Sequence, residues 1–272
     1  MPLYVATSIT RMSTFAVVNR YFIRLAYKGT AYQGWQAQPH TTMTIQQQLN
    51  EKLSMLLREA VDCVGCGRTD AGVHARDYYA HFDAEKQISA GDADFVYHLN
   101  CVLPPDIAVK QIYTVPENAH ARFDAELRTY EYHLLVGKDA FNAYQAWEIR
   151  NMPDLQAMNT AAGILQEYED FAAFCKAGGN EKTTLCTIEQ AYWMQHGPYA
   201  VFTISANRFL RNMVRAIVGT MMDIGRGKLT PDDMHRIIRS GNRSEAGASV
   251  PAHGLYLTEI LYPEALKVNS DE

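Results

Sequence analysis

Residues 65–75 read GCGRTDAGVHA and place an arginine, a carboxylate and an imidazole (Arg68, Asp70, His74) within one short segment. In an extended backbone, residues two apart face the same side, so Arg68 and Asp70 are expected to lie together. A guanidinium beside a carboxylate favours the ionised form and aims it. A single oriented carboxylate can serve as a nucleophile or as a general base. On composition alone the same residues make a strand-to-strand turn, with Thr69-Asp70-Ala71-Gly72 as turn chemistry and Gly72 suited to positive φ. Cys63 and Cys66 form a C-x-x-C that invites a zinc or redox reading. No second C-x-x-C or H-x-H accompanies it, so both are read as buried strand thiols.

These residues have to be held by a folded body. The chain has 272 residues, 47% hydrophobic and 20% charged, enough for one large or two ordinary domains with a real core. No apolar run approaches the ~20 residues of a membrane span. The first 18 residues carry Arg11 and only a short apolar patch at 14–18, and are read as an extension rather than a secretory signal. Five cysteines without regular spacing suit a reducing cytosol. The formal net charge of -5 argues against a general nucleic-acid binder.

Hydrophobic periodicity predicts a strand over 21–27 and a helix opened by Thr44, with Ile45, Leu49, Leu53, Leu56 and Leu57 at helical spacing. Short strands follow over 61–65 and 78–82, on either side of the CGRTDAG turn. A helix over 92–103 stops at Pro104-Pro105. Strands are expected over 106–115 and 129–136, then a helix from Pro153-Asp154 to about 166, then strands over 187–195 and 199–206. The pattern over 209–224 predicts a helix with Phe209, Met213, Ile217 and Met221 on its apolar face. Thr230-Pro231-Asp232-Asp233 opens another, and 255–261 is the last strand. Two rounds of strand, helix and strand predict an α+β fold of two similar halves with mainly antiparallel sheets flanked by helices. The boundaries read as an extension over 1–18, halves over 19–125 and 126–265, and a tail over 266–272.

Taken in order, YKGTAYQGWQAQ (27–38), GRTDAGVHA (67–75), LNCVLPPDI (99–107), HARFDAELRTYEY (120–132), EDFAAF (169–174), ANRFLRNMVRAIVG (206–219) and PAHGLYL (251–257) resemble the tRNA pseudouridine synthase A family. The likeness runs from about Tyr21 to Tyr262, and GRTDAGVHA is its most specific part. The resemblance implies isomerisation of uridine to pseudouridine in the anticodon stem-loop of tRNA, at nucleotides 38, 39 and 40, in a central RNA-binding cleft. The glycosidic C1′–N1 bond breaks, the detached uracil turns, and a C1′–C5 bond forms. The family's catalytic aspartate falls on Asp70. Attack on the ribose, attack on the base and abstraction of a sugar proton all require an ionised carboxylate there, and none implies a cofactor or a metal.

The resemblance further implies that Arg68 assists flipping of the base, which has to leave its stack to be reached. Tyr130 matches the uracil-contacting tyrosine, Arg215 the basic partner of the aspartate, and Leu255 an apolar wall of the uracil pocket. Tyr132, on the same strand face as Tyr130, reads as core. His120, Arg122 and Phe123 match the RNA-contacting HARF element, and Lys182 with Thr183 lies where the family has a further RNA-touching loop. A homodimer in the cytoplasm, acting on tRNA, is the implied assembly.

Three departures bear on this. Ala119 stands where the family usually has Phe, so part of an RNA-facing contact is expected to be missing. Arg76-Asp77-Tyr78-Tyr79-Ala80 replaces a Gly-Gln-Val stretch, and Cys186 a position often basic. Two other classes compete with this reading: a non-catalytic RNA binder using the same cleft, and a hydrolase drawing on Asp70, His74 and His81. The first would not need a carboxylate facing phosphates, and no motif supplies the second acid that glycosidase chemistry requires. The acidic total is also uneven. Arg208, Arg211, Arg215, Arg226 and Lys228 stand against Asp223 alone over 205–228. Helical spacing puts the first three on one side, where with Arg68 and Arg122 they are expected to line one basic cleft that draws in RNA.

Overall fold

The computed structural model describes residues 18–89, 91–141, 144–176, 178 and 182–266. All but residue 18 of the expected extension, and all but residue 266 of the expected tail, lie outside the described residues.

The first half contains strands β1 (Asn19–Tyr27), β2 (Val64–Gly65), β3 (His74–Ala84) and β4 (Ile107–Val115), with helices α1 (Ile45–Leu57) and α2 (Ala93–Val102). The second contains β5 (Leu127–Val136), β6 (Trp147–Ile149), β7 (Ile188–His196), β8 (Tyr199–Ala206) and β9 (Leu255–Leu261), with α3 (Leu155–Ile164), α4 (Met213–Gly225) and α5 (Asp233–Ser240). Side chains mark the helix starts. The Thr44 hydroxyl accepts from the amide of Gln47, Asp92 from Phe95, and Asp154 from Gln156 and Ala157, satisfying donors that a first turn leaves open. α5 opens with Asp233 in its first turn and stops at Gly241, whose φ of +60° a glycine adopts without strain.

Two expectations need correction. The segment over 61–65 contributes only Val64–Gly65 to the sheet. The helix expected from 209 begins at Met213, because Asn212 takes a left-handed φ of 65° and breaks the helical path before it. Arg208 and Arg211 therefore lie on the loop before α4 and do not share a helix side with Arg215.

The halves are joined through a single sheet of order β4-β1-β3-β9-β5-β8-β7, with β2 on β3 and β6 on β5. Neighbours run antiparallel except β3 with β9 and β5 with β6. Side chains opposite each other in a sheet share a face. Register thus places Tyr27, Ala75, Leu257, Tyr130 and Ile204 in one row across the sheet, from one half to the other. Two apolar cores result. One gathers Leu49, Leu53 and Leu99 of α1 and α2 with β1, β3 and β4; the other gathers Met158, Ile217, Met221 and Ile237 of α3, α4 and α5 with β5, β7 and β8. They exchange members at the seam. Leu257 and Ile260 of β9, and Tyr262 just after it, pack into the first core, Val73 packs into the second, and Tyr130 touches both.

Candidate active site at the seam

The loop over 66–73 sits on that seam, and its backbone is pinned from several directions. Cys66 N–H donates to the Tyr79 carbonyl at 2.8 Å, and the Tyr78 hydroxyl donates to the Gly67 carbonyl. The Thr69 carbonyl accepts from Trp35 N–H at 3.2 Å, and the Thr69 hydroxyl meets the Tyr27 hydroxyl at 2.8 Å. Asp70 to Val73 close a turn in which Val73 N–H donates to the Asp70 carbonyl, with Gly72 at φ +82° as expected. The segment after β1 supplies the other wall. Gly34 has φ +93°, and a Cβ there would stand 2.6 Å from the Thr69 carbonyl oxygen, so only glycine lets the two loops meet.

The carboxylate on this loop is held by Arg215 and not by Arg68. Arg215 Nη1 donates to Asp70 Oδ2 at 3.1 Å, while its Nε donates to the Val250 carbonyl at 2.8 Å. The pair is partly open, with side chains 20% and 34% exposed, so Asp70 is oriented yet reachable. The segment around Val250 lies close to α4 because Gly219 leaves room: a Cβ there would meet the Ala248 carbonyl at 1.9 Å. Arg68 lies before the turn that Asp70 to Val73 close, in a segment that belongs to no strand. Its Nε donates to Gln36 Oε1 at 3.2 Å, and its side chain is exposed.

Tyr130 is half-buried in the cross-sheet row, with the Phe209 ring edge-on at 5.1 Å and 87°. Burial pushes its phenol above the ordinary range. Tyr132 is core, its hydroxyl donating to the Pro251 carbonyl at 2.8 Å. Leu255, opposite Tyr132, is buried in the second core.

His120, Arg122 and Phe123 form a compact turn. His120 Nδ1 accepts from the amides of Arg122 (3.1 Å) and Phe123 (3.4 Å), and Asp124 Oδ2 accepts from His120 N–H at 2.7 Å. Phe123 is 73% exposed, and the Arg122 guanidinium lies 5.7 Å from the centre of its ring. Lys182 is exposed, and Thr183 Oγ1 accepts from Leu185 N–H.

Both histidines weighed for hydrolysis serve the fold. His74 Nδ1 accepts from Gly29 N–H and its Nε2 meets the His253 carbonyl; His81 Nδ1 accepts from Ala121 N–H. Burial pushes each down to about 4. Cys63 and Cys66 are buried thiols, and burial raises Cys66 to about 12.

The departures are also absorbed by packing. Ala119 is buried, its carbonyl accepting from Arg20, so residue 119 does not face outward in this chain. Asp77 pairs with Arg24 at 2.6 Å and Lys110 at 3.4 Å, and Cys186 is buried. Two residues at the site carry no signal of their own in the sequence: Gln36, beside Arg68, and Phe209, against Tyr130. Phe209 was read as helix core because its spacing matches the apolar face of α4. A cavity of about 510 Å³ lined by Lys28, His74, Arg76, Asp106 and Tyr256 includes none of Asp70, Tyr130 and Arg215.

Comparison with known proteins gives consistent matches. A family model described as tRNA pseudouridine synthase matches residues 165–263. The tRNA pseudouridine synthase A of Parabacteroides distasonis is 49% identical over 92% of this chain and 98% of its own. The proteins of the same name from Azobacteroides pseudotrichonymphae and Bacteroides fragilis are each 48% identical, over 90% and 92% of this chain and 98% of theirs.

Proposed function

This chain belongs to the tRNA pseudouridine synthase A family and isomerises uridine to pseudouridine in tRNA; we propose that it does so with Asp70, on nucleotides 38, 39 and 40 of the anticodon stem-loop. The observation that carries the assignment is the Asp70–Arg215 pair, an oriented and accessible carboxylate at the junction of the two halves. The reaction is redox-neutral. The C1′–N1 bond breaks, the uracil rotates, C1′ bonds to C5, the C5 proton is lost and N1 gains one. Asp70, aimed by Arg215, acts at the sugar-base junction.

The extruded uracil stacks on Tyr130, with Phe209 edge-on behind it, an interaction worth ~1–3 kcal/mol per base. Leu255 backs this pocket from the core. Arg68, free of the carboxylate, reaches into the space that the base leaves. His120, Arg122, Phe123 and Lys182 contact the RNA around a central cleft, whose basic charge stands out in an otherwise acidic chain. Residues 19–125 and 126–265 act as its two sides. A cytoplasmic homodimer holding one tRNA across both subunits is the proposed working form. Among the described residues no helix is long and apolar enough to cross a membrane.

Release of tritium from [5-³H]uridine-labelled tRNA measures the reaction directly. Asp70→Asn is expected to abolish release while tRNA affinity stays within about tenfold, or roughly 1.4 kcal/mol. Retained isomerisation in this variant would remove Asp70 from its role.

A further inference from the structure

Arg128, at the start of β5, has an unusual set of partners. Nη1 donates to the carbonyls of Ala125 (3.0 Å) and Asn207 (2.7 Å), and Nη2 to those of Cys66 (3.1 Å) and Arg122 (2.7 Å). Among the described residues it forms no ion pair with a carboxylate. Cys66 opens the loop that carries Asp70, and Arg122 lies in the HARF turn. Asn207 starts the loop that carries Phe209 and leads to α4, while Ala125 lies where one half passes into the other. We infer that Arg128 is a positioning residue for the isomerisation: it locks the Asp70 loop, the RNA-contacting turn and the Phe209 loop into one rigid unit.

The physical case rests on donor geometry. A planar guanidinium offers several N–H groups in fixed directions, and charge-assisted bonds are roughly twice as strong as neutral ones. The four carbonyls come from three separate stretches of chain, around 66, 122–125 and 207, so no continuous secondary structure could bring them together. The nucleotide has to place C1′ against Asp70 while its flanking phosphates rest on the HARF turn. The distance between those segments therefore decides whether the base reaches Tyr130, and a misplacement of about 1 Å can cost about a hundredfold in rate. A lysine keeps the charge, but its three donors diverge from one nitrogen and cannot span four carbonyls. The field of the guanidinium is felt nearby: it opposes the upward push that burial gives to Tyr130 and Cys66.

This inference rests on the proposed roles of Asp70 and the HARF turn, and its test separates the two. In RNA-free wild-type protein labelled with ¹⁵N-arginine, the Nη signals of Arg128 are expected to be separately resolved, as for a guanidinium that cannot rotate. In Arg128→Lys, hydrogen exchange is expected to accelerate together over 66–72, 120–126 and 207–212 while β7 keeps its protection. In the same variant kcat should fall at least tenfold with a smaller change in KM. Averaged Nη signals in the wild type would overturn the lock, as would Arg128→Lys with kcat within twofold or with faster exchange in only one of the three segments. The wild-type signals decide the matter if Arg128→Lys does not fold. A lock seen in wild-type protein that lacks isomerase activity on tRNA would instead count against the functional reading alone.

Discussion

The two halves serve the site in different ways. The first half fixes a backbone. Its core is rich in rings that carry polar tips, with Trp35 stacked on Tyr78 at 4.1 Å and Tyr27 beside both, and these tips tie down the loop carrying Asp70. The second half delivers side chains. Its core is built largely on aliphatic and methionine side chains, including Met158, Met213, Met221, Met222 and Met234; Arg215 reaches from it to Asp70, and Phe209 packs edge-on against Tyr130. Neither half holds both the carboxylate and its partner. Orientation of the loop is a matter of hydrogen bonds to backbone, whereas charge and stacking are supplied from residues far away in sequence.

The largest expected effect strikes where the halves share their cores. Leu257 of β9 is buried in the first core while it pairs with Tyr130 and Ala75. Leu257→Ala should cost about 3–4 kcal/mol, from lost burial and the cavity left behind. Chemical denaturation followed by probes in each half should still give one coincident transition; two separate transitions would show halves that stand alone. Next comes Arg215→Met, which leaves Asp70 on an intact loop without its aimed partner. A fall in kcat of about thirtyfold to a hundredfold, roughly 2–3 kcal/mol, is expected by single-turnover kinetics. An unchanged rate would mean that the first half orients the carboxylate unaided.

The smallest effect per residue is acid sensitivity. His74 and His81 each accept a backbone N–H at Nδ1, which requires the neutral ring. Both are depressed to about 4 from an ordinary value of 6.5. Between those values the unfolded chain binds more protons, so this stability is complete above about pH 6.5 and is lost as pH falls toward 4. At pH 5 the loss is roughly 2 kcal/mol for each ring. Denaturation midpoints at pH 7 and pH 5 would measure it, and equal midpoints would mean that neither ring is held neutral.

Much of this was legible locally. β9 spans the residues predicted for it, and α1 begins behind Thr44 as its capping chemistry requires. Asp70 and its turn stood out because few turns combine Arg, Asp and His, and the family motif fixed their meaning. What periodicity does not carry is long-range register. The short parallel pairing of His74-Ala75 with Tyr256-Leu257 merges two expected sheets into one, and nothing in either strand announces it. The same holds for side chains. Alternation along an extended segment predicts Arg68 beside Asp70, yet Arg68 bonds Gln36 and Asp70 is held by Arg215 on α4, a partner that the family resemblance implied and periodicity did not. Arg128 reads in sequence as an ordinary strand arginine, since its partners are carbonyls, which carry no residue signature.

The position of β9 also sets a clock. It comes after every other strand among the described residues, yet it lies between β3 and β5 near the middle of the sheet. Val250, which anchors Arg215, precedes it by only a few residues. A nascent chain that has not yet reached this region has Asp70, Tyr130 and Arg215 already polymerised but no seam on which to assemble them. Such late, sequence-distant closure is slow compared with local folding. A chain that lacks β9 is therefore left with the edges of β3 and β5 open where that strand would pair, and with no seam to bring Arg215 to Asp70.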